Sequence, residues 1–364
     1  MDKAYIILAD GQIFEGQPFG ACGESVGEIV FTTGMGGYVE TLTDPSYCGH
    51  IVVQTFPLIG NYGVMEADSE SEAPKAAGYV VREWCEAPSN FRTEGDIDAY
   101  LKKHGIVGVC GVDTRELTRI IRENGAMNAR IVHDPKADVK AELEVFKIRN
   151  AVAAVSCKEP VVYKPQGDIK YNVALMDYGV KRSMIDKLLG RGCMVHRLPF
   201  DTTAQQVTAL VPDGVFLSSG PGDPAENTAC IETIKALAGN VPMFGVCLGH
   251  QMLALALGGK TEKMKYGHRG ENQPAKDIKT GRTYITGQNH GYAVMADSLG
   301  ATGGELWFVN ANDGTCEGID YPELGAFSVQ FHPEGGAGPF DTAFLFERFC
   351  GMMTAKGGAN NAER

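Results

Sequence analysis

The chain has 364 residues, 44% of them hydrophobic and 21% charged, with a formal net charge of -12. Such a length suits two domains, each with a core of its own, and the composition is ordinary for a globular protein. The acidic balance argues against a nucleic-acid or anionic-membrane partner. No apolar stretch is long enough to span a bilayer, and Met1-Asp2-Lys3-Ala4-Tyr5 lacks a signal-peptide pattern, so a cytoplasmic location is expected.

The cysteines are scattered singly, at 22, 48, 85, 110, 157, 193, 230, 247, 316 and 350. No C-x-x-C pair suggests a zinc ribbon or a thioredoxin-like motif, and a disulfide framework is not expected in a cytosolic chain. All except Cys247 read as small buried hydrophobes.

Residues 1–157 mix short strands, Gly-rich turns and a few helices, an α+β pattern. Ala4–Leu8, Glu28–Thr32 and Gly78–Trp84 read as strands. Asp113 and Glu116 form a capping-box pattern ahead of Leu117, Ile120 and Ile121 at helical spacing, and Gly125 ends that helix. Residues 158–170, with Pro160, Pro165 and Gly167, read as a linker.

From residue 171 to 356 the rhythm changes. Apolar runs at Val173–Met176, Met194–Leu198, Gly214–Leu217, Met243–Val246 and Ala326–Gln330 alternate with helical patterns such as Val180–Leu189 and Ala225–Leu237. Strands alternating with helices imply an α/β domain with a mainly parallel sheet covered by helices, whose site lies beyond the carboxyl ends of the strands. Phe340, Phe344, Phe346, Phe349, Met352 and Met353 read as a C-terminal helix on that sheet, and residues 357–364 as a flexible tail.

Gly245-Val246-Cys247-Leu248-Gly249 follows an apolar strand and opens the apolar helix Leu248–Leu257. This is a nucleophile elbow with Cys in place of Ser. A sharp strand-to-helix turn lifts the side chain above the sheet, and flanking glycines let neighbouring backbone approach. The helix N-terminus favours an anion there, and the Leu248 N–H is free to face an oxyanion.

A nucleophile of this kind needs a base, and the base needs an orienter. His332-Pro333-Glu334 follows the apolar run Phe327–Phe331; in extended geometry His332 and Glu334 face the same way. His250 and His290 are the other histidines near the elbow. His250 lies three residues into the elbow helix with no evident orienter, so His332 is preferred. Ser218-Ser219-Gly220-Pro221-Gly222-Asp223-Pro224, after the strand Gly214–Leu217, is a side-chain-poor loop that offers backbone N–H groups to a second side of the oxyanion.

Together the G-x-C-x-G-x-Q elbow ending at Gln251, the G-P-G loop and the H-P-E segment resemble the class I, triad-type glutamine amidotransferases. Gln288-Asn289-His290-Gly291-Tyr292-Ala293-Val294 and Gly267-His268-Arg269-Gly270 narrow the resemblance to the small subunits of carbamoyl-phosphate synthetases. So do Gly27–Phe31, Gly37-Tyr38, Leu42–Tyr47, Gly60-Asn61, Gly111–Arg115 and Gly125–Met127, which are similar to the N-terminal domain specific to those subunits. The resemblance covers nearly the whole chain. Thr32, Gly36, Ser219 and Gln273 depart from the family pattern, where Asn, Thr, Asn and His are expected, and Gly335-Gly336 loosens the segment after the triad.

The resemblance implies that Cys247 attacks the glutamine side-chain amide, with His332 as base and Glu334 as its orienter. Gly220 and Leu248 would form the oxyanion hole. Ser46, Gly220, Gly222, Leu248, Gln251, Asn289, Gly291 and Tyr292 would contact L-glutamine, Ser46 reaching the site from the N-terminal domain. The ammonia would go to a large subunit that makes carbamoyl phosphate from bicarbonate, for pyrimidine and arginine biosynthesis, with residues 1–157 as the dock.

No cofactor or metal is expected on this chain. Gly258-Gly259-Lys260-Thr261 imitates the end of a Walker A motif, but Ala254 stands where its first glycine belongs and the segment follows a helix, so Gly258 reads as a helix-ending glycine. ATP and Mg are expected on the large subunit. Two other functions compete: a stand-alone γ-glutamyl hydrolase, against which the extra domain, Gln251 and Asn289 argue, and a non-catalytic docking subunit, against which the intact triad argues.

Overall fold

The computed structural model describes residues 3–362. It divides into two compact units: the chain up to Ala151 together with Lys265–Gly270, and Val152–Met264 with Glu271 onward.

In the first unit seven strands close into a barrel: Ala4–Leu8, Ile13–Gly20, Val107–Cys110, Gly78–Val80, His50–Gln54, Ser25–Thr32, Met127–Val132 and back to the first. Three neighbouring pairs are parallel and the other four antiparallel. Successive side chains leave a strand on opposite faces. Ile29, Phe31, Ile51 and Val53 accordingly join one core with Leu117, Ile120 and Ile121 of the helix Thr114–Asn124, while Val30 and Val52 join another with Leu42, Ile97 and Leu101. Asp113 caps that helix by accepting from the Glu116 N–H at 3.0 Å, and Gly125 ends it, as its sequence implies.

The Gly78–Trp84 run is two strands. Gly78–Val80 stays in the barrel, whereas Glu83–Trp84 leaves it to pair with Leu58–Ile59. The six residues Lys265–Gly270, expected to belong with the C-terminal domain, join the first unit. The Lys265 carbonyl accepts from Ala126 N–H at 2.8 Å, the Arg269 carbonyl accepts from Thr33 N–H at 3.2 Å, and Tyr266 stacks on Phe31.

The second unit is built on a ten-stranded sheet. Its centre is five parallel strands in the order Cys193–Pro199, Tyr171–Asp177, Gly214–Leu217, Met243–Val246 and Ala326–Val329. The antiparallel strands Cys316–Tyr321, Glu305–Asn310, Thr261–Asp277 and Thr283–Val294 extend it on one side. The stretch read as a linker contributes Val161–Tyr163, an antiparallel edge strand on the other side. Pro160 and Pro165 flank it, which an edge tolerates and a central strand does not.

Met176, Leu217 and Met243 face the helices Thr228–Leu237 and Leu248–Ala256, while Leu175, Phe216 and Phe244 face Arg182–Leu189 and the C-terminal helix through Ile185, Phe346, Phe349 and Met353. That last helix runs Phe344–Ala362, through most of the stretch expected to be a flexible tail; positions 363 and 364 lie outside the described residues. Phe340 precedes it and is exposed. No helix among the described residues is long and apolar enough to cross a membrane.

Candidate active site

Four segments leave the carboxyl ends of four adjacent parallel strands and converge. They are Tyr178–Lys181, Ser218–Gly222, the Cys247 elbow and Gln330–Glu334.

Cys247 sits between the strand Met243–Val246 and the helix Leu248–Ala256 with φ 52 and ψ -104, a left-handed conformation that a side-chain-bearing residue rarely adopts. Such strain persists only where the surroundings impose it. Here they do. The Cys247 N–H donates to Val329 O at 2.9 Å and the Gly249 N–H to Ser218 O at 3.0 Å. A Cβ at Gly249 would lie 2.3 Å from Leu217 O, so only glycine lets the helix start this close to the neighbouring strand. The buried thiol points at the Asn289 carbonyl, 3.6 Å away.

His332 follows the strand Ala326–Val329. Its N–H donates to Gly287 O at 2.9 Å, and its Nδ1 lies 2.7 Å from Glu334 Oε1. Its buried Nε2 makes no hydrogen bond, and the Cys247 side chain lies close to the ring. The two residues that share a side of the extended H-P-E segment therefore meet as their spacing implies.

Lys181 is the member that the sequence reading missed. Its Nζ lies 2.7 Å from the same Glu334 oxygen, and both side chains are buried. Burial by itself raises the pKa of Glu334, but the charges of Lys181 and then His332 outweigh it and hold the carboxyl well below the ordinary carboxylate range. Burial likewise opposes protonation of His332, but the Glu334 charge outweighs it and raises the ring above its ordinary value, with Lys181 acting against the rise. A signal was present: a lysine at the carboxyl end of a strand, after the Tyr178-Gly179 turn of an α/β domain.

His250 is turned away. Its Nδ1 lies 2.8 Å from Ser328 Oγ, and burial lowers its pKa to about 3. It is a neutral ring held under the elbow, which leaves His332 as the histidine beside the thiol.

On the other side of the elbow, Gly220 packs against Leu248, whose N–H belongs to the first turn of the helix and has no acceptor within it. A Cβ at position 220 would fall 2.1 Å from Tyr178 O, so the loop reaches this place only as glycine. Gly222 follows in the same loop with φ 89.

The strand Thr283–Val294 carries Asn289, Gly291 and Tyr292 past the triad: its Gly287 bridges to His332 and its Asn289 to Cys247. Gln251 Nε2 donates to Tyr292 O at 2.7 Å and to Gln330 Oε1 at 2.9 Å. His290 is held through Tyr292 O and Gln288 Oε1. Ser46 belongs to the first unit, in a short turn capped by Asp44, with its side chain buried. Gly258 has φ 95 directly after the elbow helix, in line with a helix-ending glycine.

Known proteins match both parts of the chain. Residues 6–131 match the family described as carbamoyl-phosphate synthase small chain, CPSase domain, and residues 174–352 match glutamine amidotransferase class-I. A carbamoyl phosphate synthase small chain from Syntrophotalea carbinolica is 48% identical over 368 residues, covering 96% of this chain and 98% of the relative. The chain belongs to the carbamoyl-phosphate synthase small-chain family. Small chains from Clostridium perfringens, 48% identical over 95% of this chain and 98% of that one, and from Oceanobacillus iheyensis, 47% identical over 98% and 97%, match it equally through. As a small chain with a class-I amidotransferase domain, the protein is the glutamine-hydrolysing component of a carbamoyl-phosphate synthase.

Proposed function

We propose that Cys247, His332 and Glu334 release ammonia from L-glutamine through a γ-glutamyl thioester. The observation that carries this assignment is the buried Cys247–His332–Glu334 line, with the imidazole hydrogen-bonded to the carboxylate at 2.7 Å on one side and next to the thiol on the other. The thiol gives its proton to His332 and the sulfur attacks the amide carbon. The Gly220 and Leu248 N–H groups receive the oxyanion. The His332 imidazolium then protonates the leaving nitrogen, and the neutral ring takes a proton from the water that cleaves the thioester. Glu334 and Lys181 fix the ring's tautomer and angle throughout.

Ser46, Gly220, Gly222, Leu248, Gln251, Asn289, Gly291 and Tyr292 are the proposed glutamine contacts, Ser46 on the strength of its family motif. With Gln251 Nε2 engaged by Tyr292 and Gln330, the oxygen of its amide is the group left to accept from the substrate's α-ammonium.

In this reading the ammonia passes to a large chain that holds ATP and Mg and forms carbamoyl phosphate from bicarbonate, in the cytoplasm, for pyrimidine and arginine biosynthesis. The first unit is the dock for that chain. It carries no triad member, and it is the part matched by the small-chain-specific family. Ammonia released into water at neutral pH is mostly protonated to ammonium, which is no nucleophile, so a sheltered path to the partner favours its use.

A glutaminase assay with and without the large chain tests this. The isolated chain should hydrolyse glutamine slowly and the large chain should raise the rate, on the scale of roughly 5–150-fold typical of coupled sites. Full activity of the isolated chain contradicts the proposed coupling.

A further inference from the structure

The strand Tyr171–Asp177 ends in a carboxylate that is fully buried and does not touch the triad. Asp177 Oδ1 accepts from the N–H groups of Gly179 at 3.0 Å and Val180 at 2.8 Å. Its Oδ2 accepts from the Cys157 N–H and from Arg197 Nε, both at 2.7 Å. A buried ion pair is a poor device for stability alone, since well-packed apolar groups serve as well. The question is what these bonds hold in place.

They hold the turn Tyr178–Lys181. At its far end Lys181 reaches Glu334, 2.7 Å away. At its near end it is stitched to the loop bearing Gly220. The Tyr178 N–H donates to Ser218 Oγ at 2.9 Å, Ser219 Oγ donates to Gly179 O at 3.3 Å, and Tyr178 O occupies the space that a side chain at position 220 would need. One short turn thus touches the support of the base and the proposed oxyanion loop. Asp177 is what fixes that turn's backbone from below.

We infer that Asp177, paired with Arg197, is a positioning residue for thioester formation: it sets the turn that places Lys181 against Glu334 and Gly220 beside Leu248. The inference rests on the proposed roles of Cys247, His332 and Glu334. Asp177→Asn keeps an acceptor for Gly179 and Val180, but turns an amide N–H₂ toward the Cys157 and Arg197 donors, so the turn must shift. Small displacements of this kind act on rate far more than on binding.

The test is a double-mutant cycle on single-turnover thioester formation, using the full-length chain with its large chain bound. Asp177→Asn and Lys181→Met should each slow acylation by about 10–100-fold. The double variant should be no slower than the worse single variant, within about twofold, because both changes release the same turn. Glutamine affinity should stay near wild type, and Arg197→Lys should restore more of the rate than Arg197→Gln. Losses that multiply, or wild-type acylation in Asp177→Asn, overturn the inference. Where Asp177→Asn does not fold, Arg197→Gln takes its place in the cycle under the same criterion. Failure of both to fold while Lys181→Met folds makes the pair structural and also overturns it. Wild-type protein run in parallel separates the two claims: absence of its Cys247 thioester counts against the proposed triad, not against Asp177.

Discussion

The two units arrange their buried polar groups differently. The first closes a barrel over Ile6, Ile29, Val30, Ile51, Val52 and Ile131, and its buried polar groups include Thr32, Gln54, Asp44 and Glu70. The second gathers Asp177, Lys181, Cys247, His332 and Glu334 at the carboxyl ends of three strands of its parallel sheet, each residue 6% exposed or less. Charges are stable in such a place only as partners of one another. The difference lies in arrangement: the first unit buries Asp44, Glu70 and Arg269 as well, whereas the α/β unit brings a lysine, a carboxylate, an imidazole and a thiol together at one set of strand ends. Chemistry is therefore sought in the second unit.

Replacing Cys247 by Ser should break the comparison most sharply. Glutamine-dependent carbamoyl phosphate formation should fall by at least about 10³-fold, while formation from added ammonia in the same complex stays near wild type. A joint loss of both activities would place Cys247 in something other than ammonia release.

His332→Asn should slow thioester formation by about 10²–10⁴-fold, the range of general acid–base catalysis. A labelled burst at wild-type speed in this variant would return attention to His250, despite its contact with Ser328.

Glu334→Gln should slow acylation less, since orienting the base contributes less here than supplying it. It also has a signature in pH. The Glu334 pKa is depressed in the fold by Lys181 and His332, although burial opposes this. Its contribution to stability is therefore fully present above the unfolded carboxylate value of about 4.3 and is lost as pH falls toward the lower folded value. Melting temperatures between neutral and acid pH should fall more gently in Glu334→Gln than in wild type. An equally steep acid-side fall would remove the carboxylate from this balance.

The smallest effect on chemistry is expected in the barrel. Ile51→Val trims a fully buried side chain and should cost about 0.5–1.5 kcal/mol of stability. The acylation rate of the folded protein should remain within about twofold of wild type, as for distant and independent sites. A large loss of rate here would erase the contrast between the units.

Much of the site was legible in the sequence because its parts are local. The Cys247 elbow, the G-P-G loop and the H-P-E segment each announce themselves within a few residues, and His332 Nδ1 meets Glu334 at 2.7 Å as their spacing implies. Lys181 was not legible in the same way. A lysine before a helix is an ordinary solvent-facing residue until the strand order places it beside Glu334. The barrel was likewise hidden, since closure depends on the register between Ala4–Leu8 and Met127–Val132, far apart in the chain. The same holds for Lys265–Gly270, whose partners Thr33 and Ala126 lie more than a hundred residues earlier in the chain. Val161–Tyr163 was hidden because four residues between Pro160 and Pro165 carry no period.

The most direct measurement is a rapid quench of the full-length chain, bound to its large chain, with glutamine labelled in its carbon skeleton, followed by peptide mapping. The proposed thioester predicts label on the peptide containing Cys247, released by hydroxylamine as a thioester should be, and absent from Cys247→Ser. Label on another residue, or label that persists in Cys247→Ser, would contradict it.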